Sequence, residues 1–207
     1  MTESHIYVLT AGQGRCDMQE EKRIESALRG GAGWLQLREK KMDAETLYAW
    51  GMILRRVTAR YGAKLIVNDD VELALRIGAA GVHVGQEDIS CAAARKYFPG
   101  GIVGVSCHSV TEARCAARDG ADYIGAGAVF ATVTKADVRT LSLTELRRMT
   151  AAVEIPVWAI GGIEQATTPQ LGRCGVAGYA VASGVWNAPH PDEAVRALET
   201  IWRQNEK

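Results

Sequence analysis

The chain has 207 residues with 24 basic and 24 acidic side chains, so it is formally neutral at pH 7, and broad electrostatic binding of nucleic acid or an anionic membrane has no basis in its charge. An apolar fraction of 47% and a charged fraction of 23% are those of an ordinary globular enzyme. The length suffices for a full core, and a single domain over residues 1–207 is expected. No apolar run is long enough to span a bilayer, and residues 1–5 lack the basic and apolar regions of a signal peptide. The five cysteines, Cys16, Cys91, Cys107, Cys115 and Cys174, are odd in number and form no CxxC pair. They fit a reducing compartment better than a disulfide framework, and a cytoplasmic location is expected.

In chain order, Ile6-Tyr7-Val8-Leu9-Thr10 reads as a first strand, broken by Gly12 and Gly14. A helix from about Met18 to Leu28 stops at Gly30-Gly31, and Gly33 to Arg38 is the second strand. Asp43 caps a helix running to about Arg60. Lys64-Leu65-Ile66-Val67 is a third strand that ends in Asn68-Asp69-Asp70, and a short helix from Val71 to Arg76 is closed by Gly78 and Gly81. Val82-His83-Val84 is the fourth strand and runs into Gly85-Gln86-Glu87-Asp88. Ile102 to Ser106 is the fifth, with Ser109 or Thr111 starting the next helix, and Asp122 to Gly127 is the sixth. A long loop from Ala128 to Leu141 leads to a helix from Leu143 to Val153 and a seventh strand from Ile155 to Ile160. Gly161-Gly162 then turns into a helix expected near Glu164 to Arg173. Gly178 to Ser183 is the eighth strand, and Pro191-Asp192 begins the last helix. Eight strands alternating with helices predict an α/β fold with parallel strands closed into a (β/α)8 TIM barrel. A doubly wound sheet is the alternative, but no GxGxxG follows the first strand.

Parallel strands bring their C-terminal ends together, so Asp69 and Asp88 should approach each other at one mouth. Two carboxylates there suggest Mg²⁺ held jointly with substrate phosphates; the plain alternative is two acidic loop residues. Strand alternation puts Gln36, Arg38 and Lys40 on one side and Leu35 and Leu37 on the other. An Arg inside a barrel needs an anion or a carboxylate, so Arg38 and Lys40 read as anion binders or as salt-bridge partners of Asp69. His83 alternates with Val82 and Val84 and also looks inward, as a structural residue or as part of a site. Ser106 ends its strand beside Cys107-His108; that adjacency is a poor basis for a thiol nucleophile, because catalytic Cys and His meet in space rather than in sequence. In the loop after the sixth strand, Thr132, Thr134 and Lys135 would offer two hydroxyls and an ammonium to an oxygen-rich ligand. Gly161-Gly162 and Ser183-Gly184 follow the last two strands, where barrels bind phosphate through backbone N–H groups. The count is two anion sites on one mouth, one of them with a metal. Two phosphorylated substrates joined between them, with loss of pyrophosphate, would explain both.

Taken together and in this order, several stretches resemble the thiamine-phosphate synthase (thiamine-phosphate pyrophosphorylase) family. They are Gln36-Leu37-Arg38-Glu39-Lys40, Val67-Asn68-Asp69, Gly81 through Asp88, Gly104 through His108, Thr132 through Lys135, and Ala159 through Ile163. The resemblance covers nearly the whole chain. It implies a barrel that couples hydroxymethylpyrimidine diphosphate to thiazole phosphate, giving thiamine phosphate and pyrophosphate. By motif, Asp69 and Asp88 would bind Mg²⁺, and Arg38, Lys40, Asn68, Ser106 and Lys135 would hold the diphosphate. Of these, Arg38, Lys40, Ser106 and Lys135 would carry the catalytic load by stabilising leaving-group charge. Gln36 and His83 would lie near the pyrimidine, and Thr132, Thr134, Gly162, Ala182 and Ser183 would surround the thiazole phosphate. The expected partners are these two small molecules, with no nucleic acid and no membrane, and a homo-oligomer stays open. The chain departs from the family pattern at Ala11, Asp70, Ala128, Ala131 and the stretch from Val138 to Ser142, mostly on the thiazole side. The rival readings are the sister thiazole tautomerases and a non-catalytic paralogue that binds a thiamine precursor. The intact Gln86-Glu87-Asp88 end and Thr132-Val133-Thr134-Lys135 loop weigh against the tautomerase.

Overall fold

The computed structural model describes residues 4–10, 12–131 and 140–206. Thr132, Thr134 and Lys135, and with them part of the expected thiazole-side loop, lie outside the described residues. Eight parallel strands close into a barrel in sequence order: β1 (Ile6–Leu9), β2 (Trp34–Leu37), β3 (Lys64–Asn68), β4 (Gly81–Val84), β5 (Ile102–Cys107), β6 (Tyr123–Gly127), β7 (Val157–Ile160) and β8 (Gly178–Val181). The closing pair is β1 with β8, in the register Tyr7 to Ala180. The helices are α1 (Met18–Arg29), α2 (Ala44–Tyr61), α3 (Val71–Ile77), α4 (Cys91–Tyr97), α5 (Val110–Arg118), α6 (Leu143–Ala152), α7 (Ser183–Trp186) and α8 (Pro191–Asn205).

Local chemistry starts these helices where it does. Asp17, Asp43, Asp70, Ser90, Ser109 and Ser142 stand at the N-caps of α1 through α6, and each side chain accepts a hydrogen bond from a backbone N–H three residues on. Such a cap contributes about 1 kcal/mol. Asp70, a departure from the family pattern, therefore has a structural use in launching α3. Strand alternation then sorts side chains into two cores. Leu35, Leu37, Val67, Val82, Val84 and Cys107 point outward into the layer between sheet and helices. Tyr7, Leu9, Ile66, Tyr123, Trp158 and Ala180 fill the inside of the barrel. The inward face thus carries aromatic bulk at its middle and leaves its polar residues to the C-terminal end.

Two expectations about the last third are corrected. Glu164 to Arg173 does not form an α-helix; Thr168–Leu171 makes a single 3-10 turn. Pro169 removes a donor and Gly172 ends the turn, while the Thr167 and Thr168 hydroxyls bond backbone carbonyls at Gly162 and Glu164 and compete with helix hydrogen bonds. The eighth strand stops at Val181, and Ser183 opens the short helix α7 instead of ending the strand. Among the described residues, no helix is long and apolar enough to cross a membrane.

Candidate active site

The C-terminal ends of the strands surround a cavity of about 190 Å³. Gln36, Arg38 and Lys40 reach it from the end of β2, Asn68 and Asp69 from β3, His83 and Asp88 from β4, and Ser106 from β5. Gly162, Ala182 and Ser183 close it on the other side. Every predicted site residue among those described therefore lies on one mouth.

The half built by β2 to β5 works through side chains. Lys40 pairs with Asp69 at 3.7 Å, with both groups partly open to water. Asp69 is held in the left-handed region at φ 65°, an uncommon conformation for a residue with a side chain. Its backbone N–H is fixed by the His83 carbonyl at 2.8 Å. Asp88 curls back to accept the Gly85 N–H at 2.7 Å. Burial raises the Asp69 carboxyl above the usual carboxylate range, and its hydrogen bond to Asp88 and the Asp88 charge push the same way, against Lys40 and Arg38. A carboxyl raised by burial beside a second carboxyl is one whose charge a cation would relieve. Asp69 and Asp88 would be the residues to hold an Mg²⁺ ion here, the kind of hard cation that oxygen ligands suit; among the described residues no third carboxylate, His or Cys joins the pair. Arg38 is steadied from behind: its N–H donates to the Thr10 hydroxyl at 3.0 Å. The buried Glu39 carboxylate accepts the N–H groups of Gly12 and Gly14, tying the β1 loop to β2.

Beneath this half, hydrogen bonds run across the barrel interior. Gln36 Nε2 donates to the Tyr7 hydroxyl at 2.6 Å, and the Tyr7 and Tyr123 hydroxyls meet at 3.0 Å. Tyr123 meets His83 Nδ1 at 2.9 Å, and His83 Nε2 meets Ser106 Oγ at 2.9 Å. Burial raises both phenol pKa values, so each ring keeps its proton. Gly104 makes room for Tyr123, because a Cβ there would run into the phenol ring. A thiol mechanism has no support: Cys107 is fully buried on the outer side of the sheet, and burial pushes its thiol up to about 12. His108 lies at the rim with its ring nitrogen 3.2 Å from Glu112.

The half built by β6 to β8 works through backbone. Gly161 and Gly162 have φ of 93° and 62°, and a Cβ on Gly162 would stand 2.6 Å from the Ala131 carbonyl oxygen. The turn after β7 is thus a close crossing of two backbones. Phe130 N–H bonds the Gly161 carbonyl at 3.0 Å, and Leu141 N–H bonds Ala128 at 2.7 Å, so Ala128 and Ala131 sit in an anchored stretch without proline. Across the mouth, α7 begins at Ser183, and the first N–H groups of a helix have no intrahelical acceptor. Among the described residues that line the cavity, this side has no carboxylate.

The family model for thiamine monophosphate synthase matches residues 6–185. The chain belongs to this family. It is 38% identical over 201 residues to the thiamine-phosphate synthase of Clostridium acetobutylicum, covering 97% of this chain and 95% of that one. It is 43% identical over 198 residues to that of Chloroflexus aurantiacus, covering 95% and 91%. Among solved structures, the thiamine phosphate pyrophosphorylase of Pyrococcus furiosus superposes with a TM-score of 0.89 at 36% identity, covering 98% of this chain and 96% of that one. Within the stretches by which the thiamine monophosphate synthase family was recognisable in the sequence, the polar residues Gln36, Arg38, Lys40, Asn68, Asp69, His83, Asp88 and Ser106 meet at the mouth, while Leu37, Val67, Val82, Val84 and Cys107 pack between sheet and helices. Tyr7, Thr10, Glu39, Gln86 and Tyr123 support this mouth without having stood out in the sequence. Gln86 donates to the Ser106 carbonyl at 2.6 Å. The signal for the tyrosines was present: alternation places Tyr7 with Leu9 on the inward face, where a phenol needs a partner.

Proposed function

We propose that this chain couples hydroxymethylpyrimidine diphosphate to thiazole phosphate, releasing pyrophosphate and forming thiamine phosphate. The observation that carries this reading is a mouth divided into two unlike halves, one of charged side chains and a carboxylate pair, the other of glycine backbone. The diphosphate lies on the β2 to β5 half, where Arg38, Lys40, Asn68 and Ser106 supply donors, with Lys135 joining from the loop. Asp69 and Asp88 would hold Mg²⁺, which when bound would supply charge neutralisation for the departing diphosphate. The thiazole phosphate lies against Gly162, Ala182 and Ser183, with Thr132 and Thr134 from the loop. The pyrimidine rests near Gln36 and His83.

In the bond change, the C–O bond to diphosphate breaks and its electron pair leaves with the diphosphate. The pyrimidine-methyl cation is then captured by the lone pair of the thiazole nitrogen, forming the C–N bond. No protein nucleophile is needed, which suits a site whose one nearby thiol is buried and protonated. What the chain supplies is position and leaving-group stabilisation, by donors already aimed at where negative charge grows. Gln36 and His83 hold the cation's ring.

The test is a coupling assay with both phosphorylated precursors, with Mg²⁺ or with chelator. Thiamine phosphate formed only with the metal is the expected result. If either precursor alone is consumed, or isomerised thiazole phosphate is the sole product, the coupling reading fails.

A further inference from the structure

We propose that Tyr7 and Tyr123 are positioning residues that, with Gln36 and His83, form a hydrogen-bond relay of one direction, making the Ser106 hydroxyl a standing donor into the mouth. Each hydroxyl in the chain has a single proton to give. The Gln36 Nε2 amide can only donate, and it donates to Tyr7. Tyr7 accepts there, so its single proton goes to the Tyr123 oxygen. Tyr123 has then accepted in turn, and its own proton goes to His83 Nδ1. A neutral imidazole that accepts at Nδ1 carries its proton on Nε2 and donates it to Ser106 Oγ. The Ser106 proton is left over, and Ser106 lines the cavity.

Direction matters because the same atoms wired the other way do different chemistry. A Ser106 hydroxyl donating to Nε2 would make His83 a base beside a serine, the arrangement of an activated nucleophile. A Ser106 hydroxyl that accepts from Nε2–H keeps its own proton for an oxyanion. The relay therefore selects leaving-group stabilisation over covalent catalysis. That the oxyanion is the departing diphosphate rests on the function proposed above; the direction of the relay does not.

Tyr7 is two hydrogen bonds from His83 and three from Ser106, so its effect on Ser106 has to pass through the chain of hydroxyls. The decisive readout is the His83 tautomer, from ¹⁵N NMR of the ring in the substrate-free protein. The expected result in the wild type is a proton on Nε2 and a bare Nδ1. In Tyr7→Phe the tyrosine link to Gln36 is cut, and His83 should populate both tautomers while the fold is retained. Its turnover should fall by roughly 10-fold at little change in KM, less than the roughly 10²-fold or greater loss from removing an oxyanion donor outright. Tyr123→Phe should release the tautomer more fully, and Tyr7→Phe serves if that variant folds poorly. A His83 ring protonated at Nδ1 in the wild type, or one unchanged in Tyr7→Phe, overturns the relay. If the tautomer is as expected but no coupling activity is found, the relay stands and the substrate assignment fails.

Discussion

The two halves of the mouth are built by different means. From β2 to β5 the work falls to charged and polar side chains, with Lys40 against Asp69 and Asp69 against Asp88. From β6 to β8 it falls to turns, with Gly161 and Gly162 in conformations that side chains rarely adopt. The contrast teaches that the two halves should fail differently. A side-chain site loses its chemistry on truncation and keeps its fold, whereas a backbone site survives truncation and is blocked by added bulk.

The largest effect is expected for Asp88→Ala. Metal-dependent coupling should drop on the order of 10³-fold, the several kcal/mol that a metal site supplies, with thermal unfolding little changed. Retained activity in steady-state kinetics would remove the carboxylate pair from the mechanism. Ser106→Ala should lower kcat by roughly 10²-fold, with a smaller change in KM, if its hydroxyl acts as proposed on charge that develops as diphosphate leaves. Gly162→Val tests the other half. The added side chain meets backbone at Ala131 and demands a strained φ, so a stability loss of roughly 1–3 kcal/mol is expected. KM for thiazole phosphate should rise more than KM for the diphosphate.

The smallest effect concerns stability and pH. The Asp69 carboxyl is raised by burial and by Asp88, so the folded protein binds its proton more tightly than the unfolded chain does. The linked stability is present below the ordinary carboxylate range and is lost as pH rises through the raised value. Metal-free protein should therefore lose some stability on going from acid to neutral pH at this site, and added Mg²⁺ should restore it. Asp69→Asn should remove that pH-dependent contribution and modestly stabilise the metal-free protein at neutral pH, helped by the ease with which Asn takes a positive φ. Urea melts across pH, with and without metal, measure both. A variant whose pH profile matches the wild type would show that Asp69 does not titrate as described.

The same contrast explains what was legible in the sequence. Barrel closure could be read because each strand is a short apolar run ended by glycine or by polar residues, and because the inward parity of Gln36 and Arg38 against Leu35 and Leu37 is a property of extended backbone. The side-chain half could be read for that reason: Asp69, Asp88 and Ser106 each stand just after or at the end of a strand. The backbone half could be read only as glycine turns, since N–H groups carry no residue identity. Its details were misjudged, with Glu164 to Arg173 reduced to one 3-10 turn by Pro169 and Gly172, and Ser183 placed in a helix. The hydroxyl chain was missed because Tyr7 and Tyr123 lie 116 residues apart and meet only when the barrel closes.

The most direct test of the divided mouth is calorimetric binding of each phosphorylated precursor, separately and with Mg²⁺, to the wild type, Asp88→Ala and Gly162→Val. The account predicts a crossed pattern. Asp88→Ala should lose affinity for the pyrimidine diphosphate and keep thiazole phosphate, while Gly162→Val should do the reverse. Loss of the same ligand in both variants, or a diphosphate affinity indifferent to Asp88 and to metal, would contradict it.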